Sequence, residues 1–287
     1  MNHDKNTQVL ILFFILVFLL AIVAVLLYLA LPLIFLQILI PWAPNISAIL
    51  LVVFYLKEKS GVRRLASGWK KWRVSFRWYL LAHSPMFVFF LSVGIYLGSG
   101  GIPPGPNPTP LFGLSFPALA ILAIFTGATG EELGWRGFAL PKLQMRYSAL
   151  TSSFMLGFYW GVWHIPIWIL SGSLFTIEST FFFVANAILY SIIITFICNN
   201  TRGSVLLASM YHWSVNVWGE YVTSYLGLIS RDAMYWIMTP ITAMIAITLV
   251  VVYGPERLSR DSSLGYPELI EPESDPEVVN AKQPDYT

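Results

Sequence analysis

From position 9 to position 30 the chain reads VLILFFILVFLLAIVAVLLYLA, without a charge or a proline. A helix needs about 20 such residues to cross about 30 Å of hydrocarbon. The run is too long for a signal-peptide core and no small-residue cleavage site closes it, so it is expected to stay as an anchor. Composition carries the same message through the rest of the 287 residues. Some 56% are hydrophobic and only 11% charged, with a mean hydropathy of +0.68, where an ordinary soluble domain carries roughly 25% charged residues. So few charges cannot cover a water-facing surface. Soluble enzymes, nucleic-acid-binding modules and disordered scaffolds are therefore excluded, and lipid is the partner of most of the exterior. The single cysteine, Cys198, rules out an internal disulfide or a cysteine-built metal cage.

Further apolar stretches predict helices at about 41–56, 79–98, 114–138, 150–170, 180–199, 204–226 and 234–253. With the first run this makes an all-α, polytopic bundle of eight spans. Lys and Arg in short loops set orientation. The segment Lys57 to Arg77 holds eight basic residues against one acid, Glu58, interleaved with Trp69, Trp72 and Phe76. It is expected on the cytoplasmic face, either as an amphipathic helix on anionic lipid or as a plain topogenic loop. Lys142, Arg146, Arg202, Arg257 and Arg260 then fall on the same side, with both termini inside. Residues 1–253 form the membrane domain. Residues 254–287 carry eight acidic and three basic residues with several prolines, the composition of a flexible cytoplasmic tail.

An ionisable side chain inside a span costs about 2.5–3.5 kcal/mol on insertion scales and is a functional candidate by default. The spans hold few: Glu131, Glu132 and Arg136 in the fourth, His164 in the fifth, and His212 with Glu220 in the seventh, where Asn216 joins them. Adjacent glutamates on a helix point about 100° apart and cannot serve one face. Arg136 follows Glu132 at the favourable i, i+4 spacing, which occupies Glu132 as a structural partner. Glu131 is left free to act as a general base. His212 and Asn216 share one helix face, and Glu220 extends the stripe toward the rim. Trp160 and Trp163 flank Gly161 and could line a groove beside His164. At 1.5 Å per residue, Glu131, His164 and His212 all reach mid-bilayer, about 14–20 Å from their helix ends. One carboxylate, two histidines and an amide in a dry bundle suit hydrolysis: a base for water, and donors for an oxyanion. No Gly-x-Ser-x-Gly is present, and Asp4 and Asp232 are the only aspartates before the tail, both outside the spans. A serine nucleophile and an aspartate dyad are thereby disfavoured. Two histidines with Glu131 also match a catalytic zinc ligand set.

Glu131-Glu132-x-x-x-Arg136, then aromatic-x-x-x-His at Trp160 to His164, then His-x-x-x-Asn at His212 to Asn216, resembles the CPBP family of intramembrane glutamic proteases. That family includes the CAAX prenyl endopeptidases and the abortive-infection and bacteriocin-immunity homologues. Its second motif usually begins with Phe; here Trp160 stands in its place. The resemblance implies that Glu131 and His164 activate water, that His212 and Asn216 stabilise the oxyanion, and that Glu132 and Arg136 support the site. It implies no metal, although the residues alone leave zinc at Glu131, His164 and His212 open. It further implies a peptide or protein substrate, in CAAX-type members a prenylated one, reached through a site open to the cytoplasm from the cell membrane. Two other readings fit the same residues: a non-catalytic membrane scaffold or immunity protein, and a transporter or proton relay.

Overall fold

A computed structural model describes residues 3–31, 36, 39–106, 115–170 and 176–261. The described residues are helical, without strands. The chain enters as α1 (His3–Ala30), followed by α2 (Ile40–Tyr55), whose last turn is π-helical, and the short α3 (Gly61–Ser67). α4 (Phe76–Ala82) and α5 (Ser84–Gly98) form one path bent by 43°. The bend falls where Pro85 sits at the start of α5 and cannot continue the hydrogen-bond ladder of α4. α6 (Phe116–Gln144), α7 (Ala149–Leu170), α8 (Ile177–Asn200), α9 (Val205–Glu220) and α10 (Arg231–Tyr253) complete the bundle.

By length and hydropathy α1, α6, α7, α8 and α10 can each cross a bilayer, and the bent α4–α5 path makes a sixth. The eight spans expected from sequence include two more elements that do not meet this measure. α2 is shorter than 18 residues. α9 has 16 residues before a π turn at Tyr221–Tyr225, and it carries the polar stripe. Large apolar side chains such as Ile15, Phe87, Phe125 and Val251 are exposed on the outer surface, as lipid-facing residues must be.

Contacts assign the two ends of the bundle. At one end the Lys71 ammonium donates to the Arg202 carbonyl at 2.5 Å, Ser204 Oγ donates to the Lys71 carbonyl at 2.9 Å, and Gln144 and Asn199 exchange side-chain hydrogen bonds. The start of α1 is held there too, because Asn6 donates to the Lys142 carbonyl and Arg146 to Thr7 Oγ1. At the other end Gly105 N donates to the Gly227 carbonyl, Phe116 N to the Tyr225 hydroxyl, and Ser179 Oγ to Asp232. The basic residues of the 57–77 segment therefore share one end with Lys142, Arg146 and Arg202.

Residues 254–261, expected as the start of a free tail, are docked at this basic end. Ala149 N and Leu150 N donate to the carbonyls of Glu256 and Pro255, the amides of Asn199 and Asn200 donate to those of Arg257 and Leu258, and Leu258 is fully buried. Orphan backbone donors at the start of α7 need acceptors, and this short segment supplies them. Residues 262–287 lie outside the described residues.

Close helix approach rests on small residues. At Gly161 an added Cβ would sit 3.0 Å from Val184 Cα of α8, and at Gly134 one would fall 2.4 Å from the Pro44 backbone. With the buried native thiol removed (Cys198→Ser), Lys59→Cys and Ile102→Cys should react with a membrane-impermeant maleimide from opposite sides of sealed vesicles. Labelling of both from one side would disprove the assignment of ends.

Candidate active site

α6 carries the paired glutamates on an interrupted helix. π-helical stretches at Ile124–Ala128 and Leu133–Ala139 flank a single α turn, Thr129–Glu132. Such wide turns leave backbone groups out of the regular ladder, and they recur at functional sites. Asn45 of α2 meets two of these groups. Its amide donates to the Thr129 carbonyl at 2.7 Å and its oxygen accepts from Gly134 N at 2.9 Å. The close approach at Gly134 is what brings Asn45 within reach. One side chain thus clamps α6 on both sides of the glutamates. Asn45 is 3% exposed in an apolar stretch, and that isolated buried amide is the signal by which sequence reading could have found it.

The two glutamates diverge as their helical spacing requires. Glu131 Oε2 accepts from the indole N–H of Trp160 at 2.7 Å and from that of Trp135 at 3.3 Å. Glu132 Oε1 meets Arg136 at 2.8 Å and His212 Nδ1 at 2.9 Å, and all three side chains are buried. Glu132 therefore ties α6 to α9 as well as pairing with Arg136.

Glu131, Trp160, His164, His212 and Asn216 line one cavity of about 470 Å³. His164 Nδ1 lies 2.8 Å from the Trp160 carbonyl. A carbonyl can only accept, so Nδ1 carries the proton and Nε2 keeps its lone pair. The His164 ring packs edge-on to Phe183 at 4.9 Å and beside Trp168 at 5.7 Å. Asn216 comes close to Gly127 of α6, where an added Cβ would lie 3.2 Å from its amide nitrogen. Trp160 is the hub of the group. Its N–H holds Glu131, its carbonyl orients His164, its ring lies 4.7 Å under the Arg136 guanidinium, and its edge meets His212 at 4.8 Å.

Trp163, expected to line a groove, does not line this cavity. It is 1% exposed, with its ring edge-on to Trp135 at 6.0 Å and to His164 at 4.7 Å. Three residues after Trp160 on the helix, it faces the core behind His164. Glu220 borders the cavity and pairs with Arg231 at 3.4 Å. Asn186 of α8 also borders it, and its amide donates to the Phe182 carbonyl and to Thr239 Oγ1; no motif in the sequence marks it. Among the described residues, no three His, Cys, Asp or Glu side chains form a group able to hold a metal ion.

The cavity runs from Glu131 and His212 toward Phe116, Thr223, Glu220 and Arg231. These lie at the end of the bundle opposite the basic segment.

The fold and this site define a polytopic helical membrane protein with a largely apolar cavity between its helices that holds a carboxylate, two histidines and an amide. Residues 113–218 match the family described as type II CAAX prenyl endopeptidase Rce1-like. CAAX prenyl protease 2 of Methanococcus maripaludis is 36% identical over 108 residues, which is 35% of this chain and 39% of that relative. The matched segment, residues 113–218, carries Glu131, Trp160, His164, His212 and Asn216 of this cavity.

Breaking a buried ion pair by removing one partner costs about 3–5 kcal/mol. Arg136→Ala should therefore lower the melting temperature and the yield, and adding Glu132→Gln should restore part of both. Wild-type melting for Arg136→Ala would refute the supporting role. Asn45→Ala leaves a buried carbonyl and N–H unpaired and should destabilise by about 1–3 kcal/mol, read by thermal melting against an Asn186→Ala control.

Proposed function

We propose that this chain is an intramembrane endopeptidase whose Glu131 and His164 activate the attacking water. One observation carries the proposal: a carboxylate held by two indole donors on the wall of a cavity that His164, His212 and Asn216 also line. Both indoles donate to Oε2, so Oε1 is free to accept from a water. His164 Nε2, with its lone pair, can accept the same water's second proton. Water bracketed in this way attacks the carbonyl carbon of the scissile bond. The developing oxyanion is stabilised by the Asn216 amide and by His212, and Glu132 beneath His212 compensates the positive charge an imidazolium acquires. Arg136 holds the Glu132 side chain in place. The abstracted proton then passes to the departing amine. No metal is required in this scheme.

The family description and the name of the archaeal relative support a C-terminal CAAX-type substrate. The apolar part of the cavity wall, with Phe89, Phe116, Leu119 and Met238, suits a substrate that carries a prenyl chain.

The test is cleavage of a farnesylated CAAX peptide, beside the same peptide without farnesyl, by purified protein with and without a strong chelator. Cleavage of the farnesylated peptide should require Glu131, be lost in Glu131→Gln and survive chelation. Cleavage abolished by the chelator and restored by zinc would instead make Glu131, His164 and His212 metal ligands. Failure to cut either peptide would sink the CAAX specificity. His212→Ala and Asn216→Ala should each lower kcat by about 10²–10³-fold with little change in KM, the usual loss for an oxyanion donor. Trp160→Phe preserves the aromatic wall but removes a charge-assisted hydrogen bond worth about 1.5–3 kcal/mol. It should reduce kcat at least about tenfold, whereas an unchanged kcat would remove Trp160 from the positioning of Glu131.

A further inference from the structure

A second cavity, of about 70 Å³, lies at the basic end, between α2, α3, the C-terminal part of α6 and the start of α9. Its charged walls are Arg64, Lys71, Arg136 and Lys142, against the single carboxylate of Glu58. Three of these cations have oxygen partners. Arg64 pairs with Glu58, Lys71 donates to the Arg202 carbonyl, and Arg136 is bound to Glu132. Lys142 differs. It is 7% exposed, its ammonium lies 4.9 Å over the Phe138 ring, and among the described residues it has no oxygen acceptor. Glu58 opposes the Lys142 charge but is already paired with Arg64, so part of the several-kcal/mol cost of burying the ammonium is left for an anion in the pocket to offset.

We propose that this pocket is a binding site for a phosphate group, held by Lys142 with Lys71 and Arg64. The size agrees: at roughly 10–15 Å³ for each water-sized centre, the cavity takes about five heavy atoms, which is a phosphate and its oxygens. Lys71 and Lys142 add two positive charges that Glu58 does not balance. Burial holds the Lys71 ammonium below the ordinary lysine range, with the neighbouring Arg202 adding to the effect, so a bound anion would relieve an existing cost there. The location supplies the ligand. Exposed Trp72 and Phe76 place the adjoining segment at the depth of lipid headgroups. Arg136 walls the phosphate pocket and reaches the candidate active site through Glu132 and His212. The proposal stands independently of any proteolytic activity.

The test is thermal melting of the purified full chain in a neutral detergent with added phosphatidylglycerol, phosphatidylcholine or inorganic phosphate. The variants are Lys142→Met, Lys71→Met and, as a control outside the pocket, Lys59→Met. Lys142→Met keeps the buried stem and removes only the charge, so it should fold. A ligand at ten times its dissociation constant should raise the melting temperature by about 3–6 °C. The shift should persist in Lys59→Met and disappear in both Lys142→Met and Lys71→Met. A shift with phosphatidylglycerol alone assigns the site to a lipid headgroup, and a shift with inorganic phosphate assigns it to a soluble phosphate. Absence of any shift, or one that Lys142→Met and Lys71→Met both retain, overturns the proposal.

Discussion

The buried pair of Glu132 and Arg136, extended to His212, is the interaction on which the rest of the cavity depends. In a bundle whose exterior faces lipid, a lone carboxylate or guanidinium at this depth would be expelled or neutralised. Together they are tolerated, and the third partner sits on another helix. The i, i+4 spacing on α6 brings the first two charges together, while the approach of α9 supplies the imidazole. Glu131 is freed from structural duty because its neighbour has taken that role. Two indole donors then give it a defined direction without a second countercharge.

The interrupted course of α6 is what allows one helix to serve two cavities. A regular helix through Ile124 to Ala139 would bond every backbone group internally and leave nothing for Asn45 to hold. With π turns on either side of the glutamates, α2 becomes part of the site through one buried amide and one glycine that lets the backbones meet. Because of that clamp, α2, too short to satisfy the usual measure of a span, is still indispensable to the architecture.

Charge is segregated between the two ends. The basic end gathers the 57–77 segment, the α6–α7 and α8–α9 connections and residues 254–261, and it holds the small cationic pocket. The opposite end bears Glu178, Glu220, Arg231 and Asp232, and the larger cavity extends toward it. Arg136 walls the small pocket and is linked to the larger cavity through Glu132 and His212 and through the Trp160 ring.

Much of this was legible in the sequence, for identifiable reasons. Apolar runs of bilayer length determine helices wherever they fall, so the path from α1 to α10 could be read with boundaries shifted by only a few residues. The divergence of Glu131 and Glu132 and the pairing of Arg136 follow from the helical repeat alone. What the sequence could not determine depends on which helices touch. Nothing local says that His212 meets Glu132 across 80 positions, that Trp160 rather than Trp163 faces the cavity, or that Asn45 bridges a broken helix. Nor does the composition of residues 254–261 show that their carbonyls cap α7 and bind the end of α8. Helical periodicity fixes a side chain's direction relative to its own axis, and only tertiary packing sets the rotation and depth of each axis against its neighbours. The membrane-spanning class and the inventory of polar residues thus belong to the sequence, while the partners of those residues and the end of the bundle toward which their cavity runs belong to the tertiary structure.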